Sequence, residues 1–319
     1  MKIFIAGGAG YLGSVLVPHL LNRGYEVTVL DLMWFGNNLP SQATIIEGDI
    51  FDLKDEDLRG YDQVIFLAGL SNDPMADYSP SQNFIHNGAG PAYLGYLAKR
   101  AGTKRYIYAS SCSVYGYTSN ELYDEESPTV SNYPYGISKL QGERAAMQMV
   151  DDQFSVICLR QGTVSGYSPR MRLDVCVNTM FRYAMGERRI TVNNPAIWRP
   201  ILGIQDAVSG YVRSIEAGMG ISGIFNVASG NYTLGEIGDI VKSVIEEDMG
   251  LEIELKIKHV HDLRNYKVNI DKAREILNFK PTHGVPSIVH DLIANKDYFS
   301  DFENPKYYQL ETFKALGDR

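Results

Sequence analysis

The chain has 319 residues, 45% of them hydrophobic and 21% charged, enough for one large or two medium globular domains. Its formal net charge of -8, with no long basic run, excludes nucleic-acid binding of the phosphate-tracking kind. Three cysteines without paired or metal-like spacing, no signal-peptide pattern and no apolar run of roughly 18 residues predict a cytoplasmic protein without membrane or metal.

The first strand is read at Lys2 to Ala6 and ends in glycines. Leu12, Val15, Leu16 and Leu20 then recur at helical spacing up to Arg23, with Gly24 as the C-cap. Strands follow at Glu26 to Leu30 and Ala43 to Glu47, then a short acidic helix at Asp52 to Leu58 and a buried strand at Gln63 to Ala68. A long helix is expected from Gln82 to Ala101, a strand from Arg105 to Ser110, a helix from Tyr135 to Val150 and a strand from Phe154 to Leu159. Such alternation predicts an α/β fold, a doubly wound parallel sheet with ligands at the carboxyl ends of its strands.

Past Gly162 the pattern loosens into loops at Gly166–Arg170 and Asn193–Pro200, with helices at Leu173–Met185, Gln205–Ala217 and Thr233–Glu246. Thr233 and Glu236 have the spacing of a capping box. Residues 1–162 are read as a cofactor domain and 163–319 as a smaller, mainly substrate-binding lobe, with about 201–227 open to a return into the first. The tail from Asp297 receives no function.

Gly7, Gly10 and Gly13 stand between the first strand and first helix, where glycines permit a tight turn and close approach of backbone to a pyrophosphate. Tyr11 and Leu12 lie inside that loop. Asp31 ends the second strand, where a carboxylate accepts both adenosine ribose hydroxyls and repels a 2′-phosphate; a solvated turn aspartate is the plain alternative. No lysine or arginine follows before Lys54, so NAD is preferred over NADP. Asp49 and Ile50 follow the third strand, where Asp49 meets an adenine amino group or simply caps a turn. Leu67, Ala68 and Gly69 follow the fourth, with small residues that let a cofactor pass.

Tyr135 is the only one of 21 tyrosines with a lysine four residues on, Lys139. That spacing puts both on one helix face, where an ammonium favours a tyrosinate able to take a proton from an alcohol.

Together these residues resemble the extended short-chain dehydrogenase/reductase family, the nucleotide-sugar epimerases, dehydratases and reductases on a Rossmann sheet. The matching pieces run in order from Gly7-x-x-Gly10-x-x-Gly13 through Asp31, Gly48-Asp49-Ile50, Phe66-Leu67-Ala68-Gly69, Asn87, Ser110 to Gly116 and Tyr135-x-x-x-Lys139 to Leu159-Arg160, Arg199-Pro200 and Arg264. The resemblance implies NAD, a nucleotide-diphosphate sugar and a catalytic Ser111, Tyr135 and Lys139, with Ser110 and Ser113 as rivals for the serine. It places Asn87 with the cofactor and Arg199 and Arg264 on the substrate diphosphate, Arg264 having Asp262 beside it as another partner. Arg172 and Asn178 are further candidates for the nucleotide.

Departures narrow the chemistry. Family 4,6-dehydratases carry an Asp-Glu pair where Cys112-Ser113 stands, and 3,5-epimerising reductases need a histidine that residues 87–258 do not supply. Gln161 stands where 4-epimerases commonly have tyrosine, and Thr163 where relatives often have asparagine. The expected reaction is epimerisation through a transient keto-sugar, at C4, with a net dehydrogenase or 4-ketoreductase as the alternative and a non-catalytic NAD-binding regulator behind both. Relatives also form homodimers through helices matching 82–101 and 135–150.

Overall fold

The computed structural model describes residues 1–260 and 264–317, with backbone only at 117–120; Asp262 lies outside them. Seven parallel strands form the main sheet: β1 (Lys2–Ala6), β2 (Glu26–Asp31), β3 (Thr44–Glu47), β4 (Gln63–Phe66), β5 (Arg105–Ser111), β6 (Ser155–Gln161) and β7 (Gly223–Val227). Their spatial order is β7-β6-β5-β4-β1-β2-β3. The order reverses between β1 and β4, which opens a crevice at the carboxyl ends of those two strands.

Both sheet faces are covered, so its central strands are apolar on both sides. Along β1, Ile3 and Ile5 join one core with Leu16, Val29 and Tyr211, while Phe4 and Ala6 join another with Leu94, Tyr106 and Tyr108. The first core lies under α1 (Gly13–Asn22) and the later helix Ile204–Glu216; the second lies under α2 (Gly90–Arg100) and α3 (Pro134–Met147).

The single helix expected over 82–101 is instead a composite. A helix at Pro80–Phe84 runs through a π turn at Ile85–Ala89 into α2. Pro91 accounts for the wide turn, because it donates no N–H and its ring crowds the carbonyl of Asn87 four residues earlier. The Tyr108 hydroxyl donates to that carbonyl at 3.2 Å.

The second lobe packs the helices Cys176–Glu187, Leu234–Met249 and Val285–Ala294 around a core that includes Phe181, Ile201 and Ile245. The capping box at Thr233 is present: its hydroxyl accepts from Glu236 N–H at 3.1 Å and the Glu236 carboxylate accepts from Thr233 N–H at 2.7 Å. Residues 201–227 divide between the lobes. The strand Trp198–Gly203 belongs to the second lobe's three-stranded sheet, whereas the helix Ile204–Glu216 lies on α1 and β7 closes the main sheet beside β6. The loop expected over 193–200 is therefore shorter, since Arg189–Asn193 and Trp198–Gly203 are strands. The tail also folds, into a helix at Gln309–Leu316 whose Phe313 packs on Leu70, Met75 and Trp34. Among the described residues no helix is long and apolar enough to cross a membrane.

Candidate active site

A cavity of about 700 Å³ runs along the carboxyl ends of the strands and under the second lobe. At one end it meets the glycine loop. Gly7 has φ +79°, and a Cβ there would stand 2.4 Å from Ala68 N. A Cβ on Gly13 would meet the Gly8 carbonyl oxygen at 2.2 Å, so only glycine lets α1 start this close to the loop. Gly10, Tyr11 and Leu12 line the cavity with them.

Asp31 lines the same end. Its carboxylate accepts from Ala9 N–H at 3.0 Å and Met33 N–H at 2.9 Å, and burial raises its pKa against those bonds. A cation also acts on it from beyond pairing distance. Arg170 arrives from the second lobe, lies 3.5 Å from the Phe35 ring centroid and opposes the rise in Asp31. Burial pushes the Arg170 guanidinium down to about 9. The order of residues near Asp31 could not reveal it, because Arg170 belongs to another lobe.

Asp49 and Ile50 also line the cavity, Asp49 accepting from Phe51 N–H at 3.0 Å as the cap of a short turn. Leu67, Ala68 and Gly69 form the wall after β4. Gly69 has φ +120°, and the Asn87 Oδ1 would lie 2.1 Å from a Cβ there. Asn87, carried by the π turn, donates to the Leu70 carbonyl at 2.7 Å and to Asn83 Oδ1 at 2.8 Å, while its own Oδ1 is buried without a partner.

Midway along the cavity stand Ser111, Tyr135 and Lys139. The three serines also line it and differ in their partners. Ser110 Oγ donates to Glu143 at 2.6 Å, inside the buried Glu143–Arg160 pair, whereas Ser111 Oγ accepts from Ser113 N–H at 3.1 Å and its hydroxyl favours the ionised Tyr135 phenol. Ser113 pairs at 3.4 Å with the Tyr266 hydroxyl. Cys112 is buried against the Arg160 carbonyl at 3.1 Å, off the cavity wall, and burial drives its thiol pKa far up.

The electrostatics of the pair differ from expectation. Burial pushes Tyr135 up to about 12, opposed by the Ser111 hydrogen bond and the Arg172 charge. Burial pushes Lys139 down to about 7. Its ammonium lies 4.6 Å from the Tyr108 ring centroid, and Ser111 and Arg172 are groups that favour phenolate here. Helical spacing brings the two side chains to the same cavity wall.

The far end holds three arginines. Arg199 donates to the carbonyls of Trp198, at 3.0 Å, and of Arg264, and lies 5.6 Å from the Tyr266 ring. Arg264 pairs with Asp73 at 2.6 Å. Arg172 pairs with Asp174 at 2.8 Å and donates to Ser71 at 3.1 Å, and its Nη2 is buried without a partner. All three line the cavity, as do Gln161, Thr163 and Cys176.

Asn178 corrects the expectation of a nucleotide contact. It is fully buried and spends its amide on the protein, donating to Tyr11 Oη at 3.0 Å and the Arg172 carbonyl at 2.8 Å and accepting from Gly166 N–H at 3.0 Å. It ties the glycine loop to the second lobe instead. Two contributors were not foreseen: Asp73, at the start of the helix Asp73–Tyr78, and the tail residues Tyr308 to Glu311. Gln309 closes the tail on the site, bonding Ser71 and donating its N–H to Asp174 at 3.1 Å.

Residues 3–228 match the family described as the NAD dependent epimerase/dehydratase family. The chain belongs to this family. It is an NAD-dependent enzyme of the extended short-chain dehydrogenase/reductase type. A UDP-glucose 4-epimerase of Corynebacterium glutamicum is 27% identical over 92% of this chain and 95% of its own. UDP-glucuronic acid decarboxylase 1 of Arabidopsis thaliana is 29% identical over 93% of this chain and 72% of its own. Among solved structures, MoeE5 in complex with UDP-glucuronic acid and NAD aligns with TM-score 0.82 and 25% identity, covering 93% of this chain and 99% of that one. The enzyme's residues fit NAD on their own terms: the glycine cradle leaves no room for a Cβ at Gly7 or Gly13, and Asn87 Oδ1 leaves a buried acceptor unfilled at the crevice.

Proposed function

We propose that the enzyme is a nucleotide-sugar 4-epimerase working through a transient 4-keto-sugar. One observation carries the reading: Ser111, Tyr135 and Lys139 line a single cavity, between the glycine loop and the three arginines. The cofactor end is assigned to Gly7, Gly10, Tyr11, Leu12, Gly13, Asp31, Asp49, Ile50, Leu67, Ala68, Gly69, Asn87 and Lys139. NAD supplies the acceptor, and later the donor, of the hydride.

Tyr135 takes the proton of the sugar hydroxyl as that oxygen becomes a carbonyl, and returns it on reduction. Ser111 donates to the sugar oxygen and holds it against the phenol. With Tyr135 lifted to about 12, the phenol is protonated at neutral pH, so proton transfer relies on charge that favours phenolate, of which Arg172 is one source. Arg172, Arg199 and Arg264 take the diphosphate, for which planar guanidinium forks suit paired oxygens. Buried Cys112 and the plain hydroxyl of Ser113 offer no acid pair for loss of water.

The test is NAD-loaded protein with UDP-glucose and UDP-galactose, read by sugar NMR and nicotinamide absorbance. Interconversion without net NADH supports the proposal; stoichiometric NADH release replaces it with a net dehydrogenase. The proposal includes a homodimer through α2 and α3, on which Tyr96 is half exposed; a solution mass of one chain removes that part.

A further inference from the structure

We infer that Asp73 is a substrate-contacting residue that selects a neutral, hydroxyl-bearing sugar and rejects a uronic acid. The inference rests on the nucleotide-sugar reading above and names the substrate class within it.

Asp73 is held in place by its neighbours. Asn72 caps the short helix, accepting from Met75 N–H at 2.9 Å, and its amide donates to Asp174 at 3.3 Å. On Asp73 itself, Oδ2 takes the Arg264 guanidinium at 2.6 Å, while Oδ1 is buried without any partner. A carboxylate is an acceptor only, and a buried acceptor left empty demands a donor. Asp73 lines the cavity, so that donor is a ligand group.

Its position identifies the ligand group as part of the sugar. The helix Asp73–Tyr78 packs against α3, whose first turn carries Tyr135, and the Asp73 charge acts on both Tyr135 and Tyr266, which places it by the reacting hydroxyl rather than by the Asp31 end. Sugar hydroxyls are donors, and one of them fills Oδ1. A uronic acid brings acceptors and a second negative charge into the same space. The nearby cations do not rescue it, since in the reading above Arg172, Arg199 and Arg264 are engaged by the diphosphate, Arg264 with Asp73 besides. Selectivity then has an attractive part, the filled acceptor, and a repulsive part, the like charge.

The distinction separates two kinds of named relative, UDP-glucose 4-epimerases and UDP-glucuronic acid decarboxylases. It is tested by calorimetric binding of UDP-glucose, UDP-glucuronic acid and UDP alone to NAD-loaded protein. Wild type should bind UDP-glucose at least about tenfold tighter than UDP-glucuronic acid. Asp73→Asn should shrink that ratio about tenfold, with UDP as the reference that cancels any shared change at Arg264. Asp73→Glu, which keeps the charge and displaces it, should weaken UDP-glucose and still reject the uronic acid. A ratio unchanged in Asp73→Asn, or a wild type that favours UDP-glucuronic acid, overturns the inference. If Asp73→Asn loses NAD or melts early, the wild-type ratio and Asp73→Glu decide alone. Selective binding of UDP-glucose without interconversion would leave this inference standing and remove the 4-epimerase proposal.

Discussion

The two ends of the cavity are built by different means. At the cofactor end the site is backbone: glycines that tolerate no Cβ at positions 7 and 69, in loops that follow strands of one sheet, and at position 13, where α1 starts. At the sugar end it is side chains from distant segments, with Asp73 and Arg172 in the wall, Arg199 on a strand of the second lobe and Arg264 later in the chain. A backbone cradle is set by local steric rules and serves any member of the family. A cluster of paired charges can be rearranged one residue at a time, which makes the sugar end the place where substrate choice resides.

Four measurements probe that contrast. Tyr135→Phe should cut kcat by about 10³-fold while NAD stays bound, because one proton-transfer group contributes about 10²–10⁴-fold; near-normal turnover would rule the phenol out as the base. Arg264→Gln should weaken UDP binding by about a hundredfold and leave NAD affinity unchanged, as loss of one partner of a charged pair costs about 2–5 kcal/mol. Equal losses of UDP and NAD would show that the two ends are not independent. Gly13→Ala drives a methyl into the Gly8 carbonyl and should cost about 1–3 kcal/mol in unfolding, together with NAD affinity; a wild-type melting curve would contradict the cradle.

The smallest effect is electrostatic. Lys139 is buried with its pKa lowered to about 7, below its ordinary value of 10.5. The unfolded chain therefore binds more protons between those two values, and stability gained from releasing the buried charge rises with pH across that window. Lys139→Met should raise the Tm of NAD-free protein at pH 6 by more than at pH 9. An equal gain at both would mean that Lys139 is not desolvated.

Reading the chain alone went far at the cofactor end and stopped early at the sugar end, for identifiable reasons. The strand, glycine loop and helix from Lys2 to Asn22 are consecutive, so spacing and periodicity report them directly. Asn87 was found through a family motif, but its π turn was not, since the carbonyl that Pro91 leaves without a helical donor is satisfied by the Tyr108 hydroxyl, from a strand distant in sequence. Asn178 was misassigned because an asparagine facing a ligand and one bonding Tyr11 and Gly166 look alike in one dimension. Asp73 was missed because nothing in Ser71-Asn72-Asp73-Pro74 distinguishes a helix start from a carboxylate aimed into a cavity.

By itself, then, the amino-acid sequence determined the parallel sheet, the glycine cradle and the Tyr135–Lys139 face, because each is written in contiguous residues obeying local steric and periodic rules. Only the tertiary structure decided that Arg170 comes from the second lobe to stack on Phe35, that the tail closes on Ser71, and that Asp73 keeps one oxygen unfilled. Those outcomes depend on burial and on partners far apart in the chain, and burial changes the energy of a charge or an empty acceptor more than any neighbour in sequence does.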